Sequence, residues 1–243
     1  MTWDYSKYFA RFHPDEPGHA NGLQLTLRRW LAPHFPADKT APLIDVGCGW
    51  GHALTTAREA GHTEIFGIDA DAGQIARAQA AGLPVEHVPD TETWLAARPG
   101  KFACALLLDV LEHVPRERQR GFLQAIAASL QPGGRLVLTV PNAAAGLASF
   151  WLYNDYTHHL AFTADSLVFL LENSGFAPPR VSSVEQLVRP RFTFWLPTRR
   201  SLSWWLRKKF QLRRRLELMG ELGWERGQRI PVTLNLLAVA ERA

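Results

Sequence analysis

Asp45-Val-Gly-Cys-Gly-Trp-Gly51 is the stretch that decides the fold. It follows the apolar run Pro42-Leu43-Ile44 and precedes a helix-like segment from His52 to Ala60. Further on, Ile65-Phe-Gly-Ile-Asp69 reads as a second strand that ends in an acid. Strand, glycine turn, helix, strand, acid is the layout of a nucleotide site on a parallel sheet. Glycines let the backbone turn tightly and approach a ligand, and a carboxylate at the end of the second strand can accept from both hydroxyls of a ribose.

The spacing departs from a dinucleotide site. That fingerprint places its third glycine five positions after the first, where a pyrophosphate meets the helix. Here Gly51 is four positions after Gly47, and Asp45 stands two residues before it. A negative charge there disfavours a pyrophosphate and suits a ligand with an amino group or a positive centre.

Around this stretch the pattern alternates. Strands are expected at Leu43–Val46, Glu64–Ile68, Val85–Val88, Phe102–Leu108, Arg135–Val140, Arg180–Val188 and Val232–Ala240. Helices are expected at 52–60, 72–81, 91–97, 116–130 and 164–174, with Pro132-Gly133-Gly134 as the turn into the fifth strand and Gly175 closing the last helix. Phe102–Leu108 is apolar throughout, as a strand covered on both faces should be. Such alternation predicts an α/β, Rossmann-like, doubly wound sheet of seven strands with an antiparallel last strand.

The D-x-G-x-G-x-G loop, with Asp69 in register, resembles the cofactor loop of class I S-adenosylmethionine-dependent methyltransferases. The resemblance covers roughly Pro42 to Val188 and the terminal strand. It implies S-adenosyl-L-methionine as cofactor, with Asp45, Gly47, Cys48, Gly49 and Gly51 forming the loop and Asp69 and Ala70 at the ribose. Asp90 and Thr91 would lie at the adenine, with helix capping the competing role for Asp90. Leu106-Leu-Leu-Asp-Val-Leu-Glu-His-Val114 resembles a segment of the ubiquinone-biosynthesis O-methyltransferase group and its sugar- and small-molecule-methylating relatives. It puts Asp109 at the mouth of the site and His113 in the cofactor pocket, as a base, or in a structural role, with Glu112 a candidate cap.

A third stretch, Asp155-Tyr-Thr-His-His-Leu-Ala-Phe-Thr163, resembles a segment of methyltransferases common in glycan pathways. Methyl transfer to an alcohol needs the proton to leave, and imidazole can take it near neutral pH. His158 is the expected base, His159 its competitor, and Asp155 the group that orients or charge-stabilises it. Substrate binding without proton transfer, local loop hydrogen bonds, and catalysis by proximity alone stay open. No metal site is expected, since the spacing along the chain offers only the weak set Asp155, His158 and His159.

Composition sets the outer bounds. The 243 residues are 47% hydrophobic and 21% charged, enough for a sizeable core. Two cysteines, Cys48 and Cys104, make no disulfide framework and suit a reducing cytoplasm. The N-terminus shows no signal pattern and no run is long enough to span a bilayer. The net charge is +4, yet ten basic residues and no acid fall between Arg189 and Leu216, and the remaining 17 basic residues are outnumbered by 23 acids. That segment also carries Phe192, Phe194, Trp195, Trp204, Trp205 and Phe210.

Four parts follow: an aromatic N-terminal helical lid segment at 1–41 (an ordinary docked helix the alternative), the methyltransferase core at 42–188, a basic Trp-rich helical insertion at 189–231, and the final strand at 232–243. For 189–216 an anionic membrane surface on the inner face is weighed against packing as a lid or homodimer interface and against nucleic acid, which no base-reading motif supports. The expected function is O-methylation of a small-molecule or lipid-linked saccharide acceptor. A quinol- or phenol-type acceptor, RNA, and a non-catalytic binding role are the alternatives.

Overall fold

A computed structural model describes residues 17–184 and 199–243. Seven strands form one sheet in the order β3-β2-β1-β4-β5-β7-β6. The strands are β1 Leu43–Val46, β2 Ile65–Asp69, β3 Val85–His87, β4 Phe102–Leu108, β5 Leu130–Pro141, β6 Arg180–Val184 and β7 Asn235–Glu241. β1 to β5 run parallel, while β7 lies antiparallel between β5 and β6. The helices are α1 Pro17–Trp30, α2 His52–Glu59, α3 Ala72–Ala80, α4 Thr91–Ala96, α5 Arg116–Ser129, α6 Ala148–Asn154, α7 Ala164–Glu172, α8 Arg199–Leu222 and α9 Trp224–Arg229.

The central strands read as unbroken apolar runs because two cores cover the sheet. Ile44, Val46, Ala105, Leu107, Leu136 and Leu138 face one core, with Phe122, Leu123 and Ile126 of α5 packed on them. Leu43, Cys104, Leu106 and Val137 face the other, under Leu54 and Ala57 of α2 and Leu27 and Leu31 at the end of α1. Successive residues therefore alternate between two buried faces, as period-2 geometry requires.

Element boundaries differ from expectation where turn chemistry is subtle. Pro132-Gly133-Gly134 lies within a continuous β5, with Leu130 opposite Phe102 and a register shift before Cys104 meets Arg135. Gly133 takes a positive φ of 71° there, so the expected turn is an irregularity inside the strand. Within the expected N-terminal segment, α1 ends at Trp30 and a 3₁₀ turn follows at Ala32–His34, where Pro33 sits at the turn's start. α6 was not expected; within the expected helical insertion the basic helix runs on to Leu222 and α9 follows it. The 1–16 part of the expected lid, with Tyr5, Tyr8 and Phe9, and the end of the expected sixth strand at 185–188 lie outside the described residues.

One contact ties the sheet to the glycine turn. A methyl group at Gly67 in β2 would lie 2.6 Å from Leu54 Cδ1 and 2.9 Å from Cys48 Sγ. Gly67→Ala should therefore lower stability by about 1–3 kcal/mol, the usual cost of an extra carbon in a packed site. Chemical denaturation measures it; an unchanged midpoint would show that Leu54 and Cys48 yield without cost.

Candidate functional site

The strand order reverses between β1 and β4, and the loops that leave their carboxyl ends open a crevice there, the place where open α/β sheets bind ligands. The β1–α2 loop enters it as a tight turn. The amides of Gly47 and Cys48 both donate to the Ile68 carbonyl, at 2.8 and 3.0 Å, and Gly51 N–H donates to Cys48 O at 2.8 Å. Gly47 and Gly51 have φ of 76° and 79°, in the left-handed region, and a Cβ at Gly47 would strike Val110 Cγ2 at 2.5 Å. Glycine is needed at 47 on both counts, for conformation and for its close approach to the loop after β4.

Asp69 fixes the turn. Its Oδ2 accepts from Gly49 N–H at 2.9 Å and its Oδ1 from Asp71 N–H at 2.8 Å. Burial pushes its carboxyl up, against these hydrogen bonds. Asp45, almost fully buried, is pushed up to about 7 by burial and then by the Asp69 charge. Two carboxyls crowded at one end of a dry loop suit a ligand that brings positive charge. The ammonium and sulfonium of S-adenosylmethionine meet that requirement, and a pyrophosphate does not.

The other expected contacts divide. Cys48 turns its thiol into the core, where burial raises it far above the ordinary range, so only its backbone faces the loop. The Ala70 carbonyl accepts from His87 Nε2 at 3.0 Å. Asp90 is an exposed cap of α4, accepting from Thr93 N–H and Oγ1 at 3.1 and 2.7 Å, and Thr91 begins that helix. Asp71, not Asp69, caps α3.

Asp109 follows β4 with a φ of 54°, the one non-glycine residue in the left-handed region among the described residues. Its Oδ1 accepts from Thr139 Oγ1 and Asn235 Nδ2, both at 2.9 Å. The carboxylate reaches solvent at the crevice mouth yet lies deep among protein atoms, and desolvation raises it against these bonds. Asn235 stands 126 residues away, so no local pattern could have announced it.

Beside Asp109 the second and third motifs meet. Glu112 does not cap α5; it is buried, its Oε2 has no hydrogen-bond partner among the described residues, and desolvation raises its carboxyl well above the usual range. Its carbonyl accepts from His159 N–H at 2.8 Å, which shows His159 serving the loop through its backbone. Thr157, quoted within its motif but given no role, joins the cluster. Its hydroxyl lies 2.6 Å from Asp155 Oδ1 and 2.8 Å from His113 Nδ1.

Proton inventory fixes the directions. Burial alone would raise Asp155, but the Thr157 hydroxyl and amide and the neighbouring imidazoles outweigh it and hold it ionised. An ionised carboxylate only accepts, so Thr157 donates to Asp155 and must accept from His113 Nδ1–H. Desolvation, then the charge of His158, pushes His113 down to about 4, so its imidazole is neutral. His158 Nδ1 lies 3.2 Å from the Trp151 carbonyl, which again can only accept. In the neutral ring Nε2 then carries the lone pair, and in the imidazolium it carries a proton; it lies 3.6 Å from Asp155 Oδ2, a carboxylate oxygen with no hydrogen-bond partner among the described residues. The two rings stand 4.6 Å apart, edge to face.

One donor atom each of Glu112, His113 and His158 lies within 4.8 Å of the others. This is a donor set that a divalent cation can share, assembled from two segments too far apart for spacing along the chain to reveal. At the far end of the third motif, Phe162 is core and Thr163 forms a capping box with Ser166 at the start of α7.

Residues 20–179 match the family model described as Methyltransferase domain, and the chain belongs to that family. It is a class I, S-adenosylmethionine-dependent methyltransferase, with S-adenosylmethionine as its cofactor. Among curated proteins it is similar to the ubiquinone biosynthesis O-methyltransferase of Pectobacterium carotovorum, 34% identical over 41% of this chain and 43% of that one. The counterpart from Cereibacter sphaeroides is 28% identical over 71% of this chain and 77% of that one. The chain spans about half the length of several of the curated ubiquinone biosynthesis O-methyltransferases it matches, 43% to 55%. Among solved structures, a SAM-dependent methyltransferase from Archaeoglobus fulgidus has the same fold, with a TM-score of 0.68 at 19% identity over 98% of this chain and 99% of that one.

The raised Asp45 carboxyl gives a test with a defined sign. A cationic ligand favours its ionised form, so affinity for S-adenosylmethionine should rise as pH increases through about 7. Calorimetric titration between pH 6 and 8 should show the slope, and Asp45→Asn should flatten it. The same slope in the variant would remove Asp45 from the ligand's surroundings.

Proposed function

We propose that the chain methylates an oxygen nucleophile, a phenol- or quinol-type ring hydroxyl, held in the crevice beside Asp109. The names of the curated relatives support oxygen as the acceptor atom. S-adenosylmethionine supplies an electrophilic methyl group. In this reading the glycine loop of Asp45, Gly47, Cys48, Gly49 and Gly51 holds the methionine end, Asp69 and Ala70 the ribose, and Asp90 and Thr91 the adenine, with Asp109 and His113 closing the pocket.

The observation that carries the acceptor side is the His158–Asp155 pair. His158 donates through Nδ1 to a carbonyl and presents Nε2 as a proton acceptor beside a carboxylate. As the acceptor oxygen bonds to the methyl carbon, the carbon–sulfur bond breaks and S-adenosylhomocysteine leaves; the hydroxyl proton passes to Nε2 of the neutral His158 ring, and the imidazolium that forms is stabilised by Asp155. His113, neutral and locked through Thr157, positions Asp155 rather than taking the proton itself. His159 contributes its amide to loop structure.

A saccharide hydroxyl is the second reading. The Asp155–Thr163 motif favours it through its likeness to glycan-pathway enzymes, and a sugar alcohol, less acidic than a phenol, would depend still more on His158. Incubation with S-adenosylmethionine and each acceptor class, followed by mass spectrometry of the product, separates the two.

His158→Ala and Asp155→Asn should each lower kcat by roughly 10²–10⁴-fold, the usual share of a positioned base, with cofactor affinity unchanged. Treatment with a chelator should leave the wild-type rate intact. A His158→Ala enzyme at full kcat would end the proton-acceptor role. Loss of all activity on chelation would transfer the acceptor chemistry to a cation at Glu112, His113 and His158.

A further inference from the structure

The helix α8 is built inside out. A surface helix of a folded domain turns its apolar stripe inward and its charges outward. Here Ser201, Trp204, Lys208, Gln211, Arg214 and Leu218 recur at helical spacing on the buried or half-buried side. Arg214 Nε donates to the Ala144 carbonyl at 3.1 Å and so seats that side on the segment leading into α6. The opposite side carries Leu202, Leu206, Lys209, Arg213 and Leu216 in one row, with Trp205, Phe210 and Leu212 beside it. The apolar members of that side are 46% to 60% exposed. So many large apolar groups on one solvent-facing side mark a contact surface.

The charge pattern selects the partner. α8 holds eight basic residues and two acids, Glu217 and Glu221, both in its last two turns. Glu217 pairs with Arg213 and Arg214 within the helix, and among the described residues Arg207, Lys209 and Arg215 have no ion-pair partner. A second copy of the same face would bring like charges together. A nucleic acid would leave Leu202, Leu206, Phe210 and Leu216 in water. An anionic bilayer satisfies both groups, because acyl chains take the leucines and aromatic rings while headgroup phosphates take the cations. Among the described residues no helix is long and apolar enough to cross a membrane, so α8 would lie along the surface.

A second element points the same way. α6, which follows the segment that Arg214 holds at Ala144, exposes Phe150, Trp151 and Tyr153, preceded by Leu147. The Trp151 carbonyl is the group that orients His158. Large apolar side chains are thus exposed on α8 and on the element whose backbone orients His158.

The geometry points to α8, assisted by α6, as a docking surface for an anionic lipid bilayer. This stands apart from the identity of the methyl acceptor, and its test reads the two separately. The full chain should co-sediment with phosphatidylcholine vesicles containing phosphatidylglycerol and stay in solution with phosphatidylcholine alone. Lys209→Glu with Arg213→Glu should weaken the partition by about 10-fold or more, since each cation near an anionic surface contributes appreciably. Leu206→Ser with Phe210→Ser, both exposed changes, should weaken it to a similar degree. S-adenosylmethionine affinity, measured on each variant, should stay at the wild-type value and so report an intact fold. Four results would overturn the assignment: no partition to the anionic vesicles, equal partition to both kinds, vesicle binding unchanged in either double variant, or a dimer in light scattering that Leu206→Ser with Phe210→Ser dissolves.

Discussion

The carboxylate of Asp69 is the joint on which the site depends. It closes the glycine turn by accepting from Gly49 and opens the β2–α3 turn by accepting from Asp71, so two loops from adjacent strands are held by one side chain. The glycine turn also approaches Val110, where a single methyl group on Gly47 would collide. The crevice is preorganised as a result: its walls are tied to strand ends rather than left to loop conformation.

Electrostatics follows from that enclosure. Asp45, Asp69, Asp109 and Glu112 are all pushed upward, chiefly by desolvation, while Asp155 alone of the buried group is held down. The difference lies in the balance: Asp155 receives the hydroxyl and amide of Thr157 and faces two imidazoles, which together outweigh its desolvation, whereas the hydrogen bonds at Asp69 and Asp109 do not, and Glu112 Oε2 has no hydrogen-bond partner among the described residues. One end of the crevice therefore waits for positive charge, and the other keeps a fixed negative charge against an imidazole that can gain a proton.

Much of the sheet could be read from the chain because its signals are local. The strand at Phe102–Leu108 is apolar throughout and was placed at its observed ends. The glycine loop announced itself through residues that must take positive φ. What stayed hidden was assembled at long range. Asn235 supports Asp109 across most of the chain, and Glu112 meets His158 only because the loop after β5 folds back over the one after β4. The Pro132-Gly-Gly134 stretch carried every mark of a turn, yet pairing with Phe102 kept the strand continuous. In α8 the periodicity was legible, but which side faced the protein was not, since Leu and Arg both repeat at helical intervals and only the seat of Arg214 on Ala144 settles the rotation.

The chain between β6 and β7 leaves and returns at residues that face one another, Val184 opposite Asn235. Everything that distinguishes the surface of α8 is thus strung across one rung of a ladder, hanging from the scaffold by a pair of neighbouring points. Evolution can lengthen, trim or exchange such a pendant with little disturbance to the catalytic crevice, apart from the stitches at Arg214, Arg226 and Asn142. Where the enzyme works and what it works on are, in this architecture, separately heritable.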